Sequence, residues 1–292
     1  MTKPEYHVVS FSGGKDSTAM LLRMIELGYH IDEVLFCDTT VEFPGMIRHV
    51  EKVKAVVEAA GIKFVTLRSE KNFEYYLTEH EVSREPDSEF YGVPGYGWAG
   101  HSSRWCTKTL KTRIIDAHLQ DLRESFEIIQ YVGIAADEEY RMARKGNQAP
   151  NHRHPLREWG WAEADAMQYC RGKGYYWDGL YDIFDRVSCW CCPLKNYDEL
   201  RRTRNHFPDL WEKLIDLDSR QPKKFQHGYS VTDFDKRFAL EDALTGAGQS
   251  IKNRQFFTDL KRHLAGEVTV EQILAEREET LLERRKANAT TT

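Results

Sequence analysis

The first part of the chain alternates between two spacings of apolar residues. Residues 6–10 form a short apolar run with β-branched side chains at its centre, as in a buried strand. Met20, Leu21, Met24 and Leu27 then recur at helical intervals, and Gly28 supplies a stop. Residues 33–37 read as a second strand and 63–67 as a third. Between them, over 44–60, Met46, Val50, Val53, Val57 and Ala60 share one face of a helix that Gly61 closes. This βαβαβ order predicts an α/β fold: a doubly wound, mostly parallel sheet with helices on both faces and its ligand at the carboxyl ends of the strands.

Residues 86–103 follow neither spacing, because Tyr91-Gly92-Val93-Pro94-Gly95-Tyr96-Gly97-Trp98 interleaves glycines and aromatics; they read as a long functional loop, with a packed Ω-loop as the competing reading. A further strand is expected over 126–132. Past Pro193 the chain turns helical and highly charged. Thr269 and Gln272 resemble a capping box, and Val270, Ile273, Leu274, Arg277 and Leu281 continue at a helical period, the pattern of a docking helix. Thr290 to Thr292 are expected to fray. The expected organisation is a nucleotide-binding domain over 1–200 and a helical C-terminal extension over 201–292.

Composition narrows the function classes. Of 292 residues, 41% are hydrophobic and 30% charged, as in an ordinary globular protein, and no apolar run approaches the roughly 18 residues of a membrane span. The chain enters its first strand without an apolar signal region, so a cytoplasmic location is expected. A formal charge of −5 argues against a broadly basic surface that coats nucleic acid, while leaving room for a local basic pocket. Six cysteines, three of them in Cys189-Trp190-Cys191-Cys192, point to metal binding rather than a disulfide framework.

The first candidate chemistry lies between the first strand and the first helix, in Ser12-Gly13-Gly14-Lys15-Asp16-Ser17. Two glycines let backbone approach an anion, the free N–H groups of the helix start point at it, and Lys15 adds a full charge. The motif G-x-x-x-x-G-K-[ST] does not fit, since Val9 stands at its first glycine and Asp16 follows the lysine. After the second strand, Asp38 is placed either to bind a ribose hydroxyl or a metal-bound water, or to cap the turn before the next helix. Cys37 reads as a buried small side chain. Arg104, Lys108 and Lys111 are spaced four and three apart, so one helical face would present all three to an anion. After the 126–132 strand, Gly133 allows close backbone approach, Asp137 or Glu138 can hold Mg²⁺ or orient Arg141, and Arg141 can reach a phosphate or sulfate.

The hexapeptide 12–17 resembles the PP-loop of the adenine-nucleotide α-hydrolase superfamily. Arg104-Trp105-Cys106-Thr107 with Leu110-Lys111, Gly133-Ile134-Ala135-Ala136-Asp137-Glu138 with Arg141, and the stretch from His154 to Arg186 resemble, in the same order, the phosphoadenosine-phosphosulfate (PAPS) reductase family. The likeness runs from residue 6 to 195. It implies an adenine nucleotide, ATP or PAPS, held by Ser10, Ser12, Gly13, Gly14, Lys15, Asp16, Ser17, Asp38, Gly133 and Asp137, with Mg²⁺. It also implies that Lys15, Arg104, Lys108 and Arg141 neutralise charge during catalysis.

Adenylylsulfate reductases of this family hold a [4Fe–4S] cluster with a tandem cysteine pair and a later C-x-x-C. Here Trp105 replaces one member of the pair, while Cys191 is additional, so Cys106, Cys189, Cys191 and Cys192 remain as four thiolates for an iron–sulfur cluster or zinc, with Cys170 in reserve. No cysteine follows Cys192, so the family's C-terminal nucleophilic cysteine is missing. The resemblance therefore implies nucleotide-dependent sulfur transfer to a small molecule, a tRNA base or a DNA phosphodiester. Two alternatives stay open: reduction of PAPS or adenylylsulfate by a thioredoxin-like partner through an unconventional cysteine, and a non-enzymatic nucleotide-sensing subunit. A homo-oligomer is compatible with either.

Overall fold

The computed structural model describes residues 3–226 and 228–289. Thr290 to Thr292, expected to fray, lie outside them. The chain divides into two compact units, 1–195 and 196–292.

The first unit opens with β1 (Glu5–Phe11), α1 (Lys15–Glu26), β2 (Glu33–Asp38), α2 (Pro44–Ala59) and β3 (Lys63–Arg68), within one residue of the expected bounds at most ends. A short α3 (Phe73–Thr78) leads into the long loop. Next come α4 (Trp105–Thr107), a π-helical stretch at Lys108–Thr112, α5 (Arg113–Arg123) and β4 (Glu127–Val132). After β4 follow α6 (Glu139–Met142), β5 (His152–Arg153), α7 (Pro155–Glu158), α8 (Glu163–Gly172) and α9 (Leu180–Ile183).

The five strands form one parallel sheet in the order β3-β2-β1-β4-β5. Val9 sits at its centre, level with Val34 on one side and Tyr131 on the other. Val8, Val9 and Val34 are fully buried because helices cover both faces: α1, with Met20, Leu21 and Met24, and α2, with Met46, Val50, Val53 and Val57, lie together on one, and α5 packs Leu119, Ile115 and Leu122 on Val8 and Leu35 from the other. Since every strand runs the same way, the loops after β1, β2 and β4 emerge at one edge. The order reverses at β1, whose two neighbours continue in opposite directions.

The π-helical stretch corrects the expectation of one basic face. Its wider turn breaks the 3.6-residue phase between Arg104 and Lys111. Arg104 and Lys108 are exposed, whereas Lys111 is half-buried and faces Cys37 and Cys189 electrostatically.

The second unit is helical: α10 (Tyr197–His206), α11 (Pro208–Ser219), α12 (Val231–Gly246), α13 (Arg254–Leu264) and α14 (Val270–Ala289). Leu240, Leu244, Phe256, Leu260 and Ile273 form its buried cluster. The expected cap of α14 is reciprocal, with Thr269 N–H donating to Gln272 Oε1 at 2.8 Å and Gln272 N–H to Thr269 Oγ1 at 3.3 Å. Among the described residues no helix is long and apolar enough to cross a membrane.

Candidate functional site

The loop between β1 and α1 is held from below. Gly13 has φ +79°, and a Cβ there would lie 2.8 Å from Met46 Sδ, so both conformation and space call for glycine. The Trp177 indole donates to Gly13 O at 2.7 Å, and Lys15 N–H donates to the Tyr181 hydroxyl at 3.0 Å. Trp177 stacks on His49, with ring centroids 4.4 Å apart and planes at 29°, and His49 Nε2 lies 2.9 Å from Thr18 Oγ1. Burial drives the His49 pKa down to about 3, with Lys52 adding to the shift, so the imidazole is neutral. Within the loop, Ser12 N–H donates to Ser17 Oγ at 3.2 Å, and Ser17 Oγ donates to Gly14 O at 3.0 Å.

From the side, Gly133 closes on the start of α1. A Cβ on it would stand 2.9 Å from both the N and the Cα of Ser17. The close approach read for Gly133 in the sequence is made, on its Cβ side, to the backbone of Ser17. Ser10 lies on β1, with its Oγ accepting from Gln130 Nε2 at 2.7 Å.

Lys15 is the one full positive charge in the loop, and it is sheltered. Its Nζ contacts Asp16 Oδ1 and Oδ2 at 3.0 and 3.1 Å and also pairs with Glu163 from the first turn of α8. Burial pulls the Lys15 pKa down, but hydrogen bonding to Glu163 and the charge of Asp16 outweigh it and leave the pKa raised. Burial also raises the Asp16 pKa, against the opposing pull of Lys15. Glu163 is itself positioned by Asp137, whose Oδ1 accepts the Glu163 N–H at 3.1 Å. Glu138 is buried and holds Arg141 through both carboxylate oxygens, at 2.9 and 2.7 Å. Of the two roles weighed for Glu138, the geometry shows the one that orients Arg141. Asp38 accepts the Thr40 N–H at 2.7 Å and pairs with Arg68, which is the turn-capping arrangement.

Four of the six cysteines fall in one place. Cys189 and Cys191 are raised well above the ordinary thiol range, first by burial. Cys189 is raised further by Glu42 and Cys192, and Cys191 by Cys189, Cys192 and Cys106. Burial likewise raises Cys106, with Cys192 adding to it and the Thr107 backbone opposing. Cys106, Cys189, Cys191 and Cys192 are thus neighbours in one electrostatic group, to which Glu42 Oε1 comes within 3.9 Å of Cys189 Sγ. Cys170 is elsewhere: its thiol donates to Lys15 O at 3.5 Å and is pushed up to about 12 by burial and by Asp16. Cys37 is buried, as expected, and donates to Leu110 O at 3.1 Å.

Four thiols in one group are the donor set that an iron–sulfur cluster or a structural zinc takes, so by chemistry these residues fit such a centre. As they stand, no three His, Cys, Asp or Glu side chains among the described residues are disposed to hold a metal ion. Trp105, at the position of the missing tandem cysteine, is structural. Its indole donates to Gly97 O at 2.8 Å and its ring lies 5.2 Å from that of Phe73. The loop over 79–104 is pinned down by Arg84, which donates to the Val93 and Gly95 carbonyls, and by Gly95, where a Cβ would overlap Leu77 O. Neither Arg104 nor Lys108 makes a side-chain hydrogen bond or ion pair among the described residues, so both cations are available to a ligand.

Sequence reasoning missed Trp177, His49 and Glu163. The only signal for Trp177 was the dense run Tyr175-Tyr176-Trp177 before Gly179-Leu180-Tyr181; the other two carried none.

A family model, the phosphoadenosine phosphosulfate reductase domain, matches residues 6–195. Two uncharacterized proteins of Methanocaldococcus jannaschii are similar. One is 30% identical over 213 residues, covering 70% of this chain and 40% of the relative. The other is 27% identical over 214 residues, covering 71% of this chain and 46% of the relative. The chain thus spans less than half the length of these curated relatives. Among solved structures, a U34-tRNA thiolase from Methanococcus maripaludis with its [4Fe–4S] cluster is matched at a TM-score of 0.36 and 12% identity, over 74% of this chain and 69% of that one.

Proposed function

The chain belongs to the phosphoadenosine phosphosulfate reductase domain family, and from that premise we propose that it is a PP-loop enzyme that activates an acceptor with an adenine nucleotide and transfers sulfur to it. The observation that carries this reading is the loop at 12–17: glycine-dependent, braced by Trp177, Tyr181 and Gly133, and furnished with a sheltered lysine. A bare glycine turn with a solvated lysine would need none of that bracing.

In this reading the N–H groups at the start of α1 and Lys15 Nζ bind the nucleotide phosphates, with Lys15 exchanging Glu163 for a phosphate oxygen. Mg²⁺ accompanies the phosphates. Arg141, held rigid by Glu138, and the unpaired Arg104 and Lys108 face charge that develops as the phosphates separate. An acceptor oxygen attacks the α-phosphorus of ATP and pyrophosphate leaves. A sulfide-level donor then displaces AMP from the activated acceptor, so the acceptor's C–O bond, or a P–O bond where the acceptor is a DNA phosphodiester, is replaced by a bond to sulfur. A cluster or zinc on Cys106, Cys189, Cys191 and Cys192 would supply sulfur-binding Lewis acidity or fix the geometry. The acceptor class is a small molecule, a tRNA base or DNA.

Calorimetry with ATP and with PAPS tests the nucleotide, and release of AMP and pyrophosphate tests the reaction. Sulfite released from PAPS with a thiol reductant would replace the reading by a thioredoxin-linked reductase. Tight binding with no turnover, even with candidate acceptors supplied, would leave a nucleotide sensor.

A further inference from the structure

The second half of α14 carries an apolar stripe that no described residue covers. Ile273 and Arg277 are buried in their own unit, Arg277 Nε bonding Asp259 Oδ2 at 2.7 Å, but every position from Glu278 to Lys286 is exposed. Leu281 and Leu282 are 44% and 48% exposed, among the largest apolar exposures on the chain. The helical period that read Leu281 as part of the buried face therefore outruns the unit it docks on.

Glu278, Leu281, Leu282 and Arg285 are spaced i, i+3, i+4 and i+7, which puts them on one face of the helix. That face has an acid at its N-terminal end, two leucines at its centre and a base at its C-terminal end. Turned end for end about the point between Leu281 and Leu282, the stripe is its own complement: leucine meets leucine, and Glu278 meets Arg285 at both ends. A parallel copy would set like charges together instead.

We propose that this stripe is a self-association surface on which a second copy of the chain docks its own α14 antiparallel, about a two-fold axis between Leu281 and Leu282. The contact is isologous, as two-fold symmetry demands. It is small, so the dimer is a weak one that forms at micromolar or higher concentration and loosens as salt screens the two outer pairs.

Sedimentation equilibrium of the full chain tests it. The wild type is expected to show a reversible monomer–dimer equilibrium. Leu281→Ser with Leu282→Ser, still folded by circular dichroism and thermal melting, is expected to be monomeric. Glu278→Arg alone and Arg285→Glu alone should each weaken the dimer about tenfold or more, because each sets like charges together at both symmetric ends. An equimolar mixture of these two variants should dimerise again, since each chain then meets the opposite charge at both ends. A wild type that is monomeric throughout, a dimer indifferent to the leucine pair, or a mixture no more associated than its components would overturn the proposal.

Discussion

Lys15 and Glu163 form an ion pair that ties the loop at 12–17 to the first turn of α8, and in the proposed function a nucleotide phosphate takes the place of that carboxylate at the lysine. Glu163 is thereby a competitor for the charge that the ligand needs. Its side chain is 43% exposed, so solvent screens the pair and its worth is about 1 kcal/mol at most. Glu163→Gln is expected to tighten ATP binding several-fold in calorimetry, and an affinity unchanged or lowered would remove Glu163 from that role. Lys15→Ala should do the reverse, losing a charge-assisted bond of about 1.5–3 kcal/mol.

A prediction from His49 concerns pH. Its folded pKa is about 3, far below the ordinary histidine value of 6.5, chiefly through burial. Between those values the unfolded chain binds a proton that the folded chain refuses, so stability falls as pH drops from 6.5 towards 3 and is unaffected by this group above 6.5. The loss is on the order of a few kcal/mol across the whole window. Thermal melts at pH 7 and pH 5 should show a drop in Tm that is smaller in His49→Gln, which can still bond Thr18. An equal drop in both proteins would show that His49 is not the titrating group.

The alternation of strand and helix, the PP-loop and the cap at Thr269 were legible because each is a local pattern of spacing. The bracing was not: Trp177 and Glu163 reach the loop from far along the chain, and only the tertiary fold says that they arrive. The basic run at 104–111 failed for a different reason. Projecting it on a regular helix assumes 3.6 residues per turn, and the π-helical stretch at Lys108–Thr112 breaks that assumption. Gly133 was legible as a residue that something approaches, but sequence does not say whether the approaching atoms belong to a ligand or to Ser17.

That contact yields a third prediction. Gly133→Ala sets a methyl group 2.9 Å from two backbone atoms of Ser17, neither of which can swing aside, so β4 and α1 must separate slightly. Overpacking of this kind costs about 1–3 kcal/mol. Because the displaced segment is the PP-loop itself, nucleotide affinity should fall together with Tm. Gly172→Ala, where nothing lies within 4 Å, serves as the control and should leave both unchanged or raise Tm slightly. Loss of Tm without loss of affinity in Gly133→Ala would separate this contact from the binding site.

The last prediction separates the group of four cysteines from Cys170 and Cys37. If Cys106, Cys189, Cys191 and Cys192 hold one metal centre, serine at any of them removes a thiolate ligand, and a centre built on four sulfurs should be lost or strongly weakened. Cys170 interacts with Lys15 and Asp16 and with none of these four, so Cys170→Ser should keep the full metal content, as should Cys37→Ser. Protein purified without oxygen is expected to be brown, with iron and acid-labile sulfide, and Cys189→Ser and Cys192→Ser to lack both. Zinc at one equivalent without sulfide would replace the cluster by a structural site on the same thiols. Retention of metal in all four serine variants, or its loss in Cys170→Ser alone, would place the ligands elsewhere and leave Lys111 and Glu42 beside a group of unligated thiols.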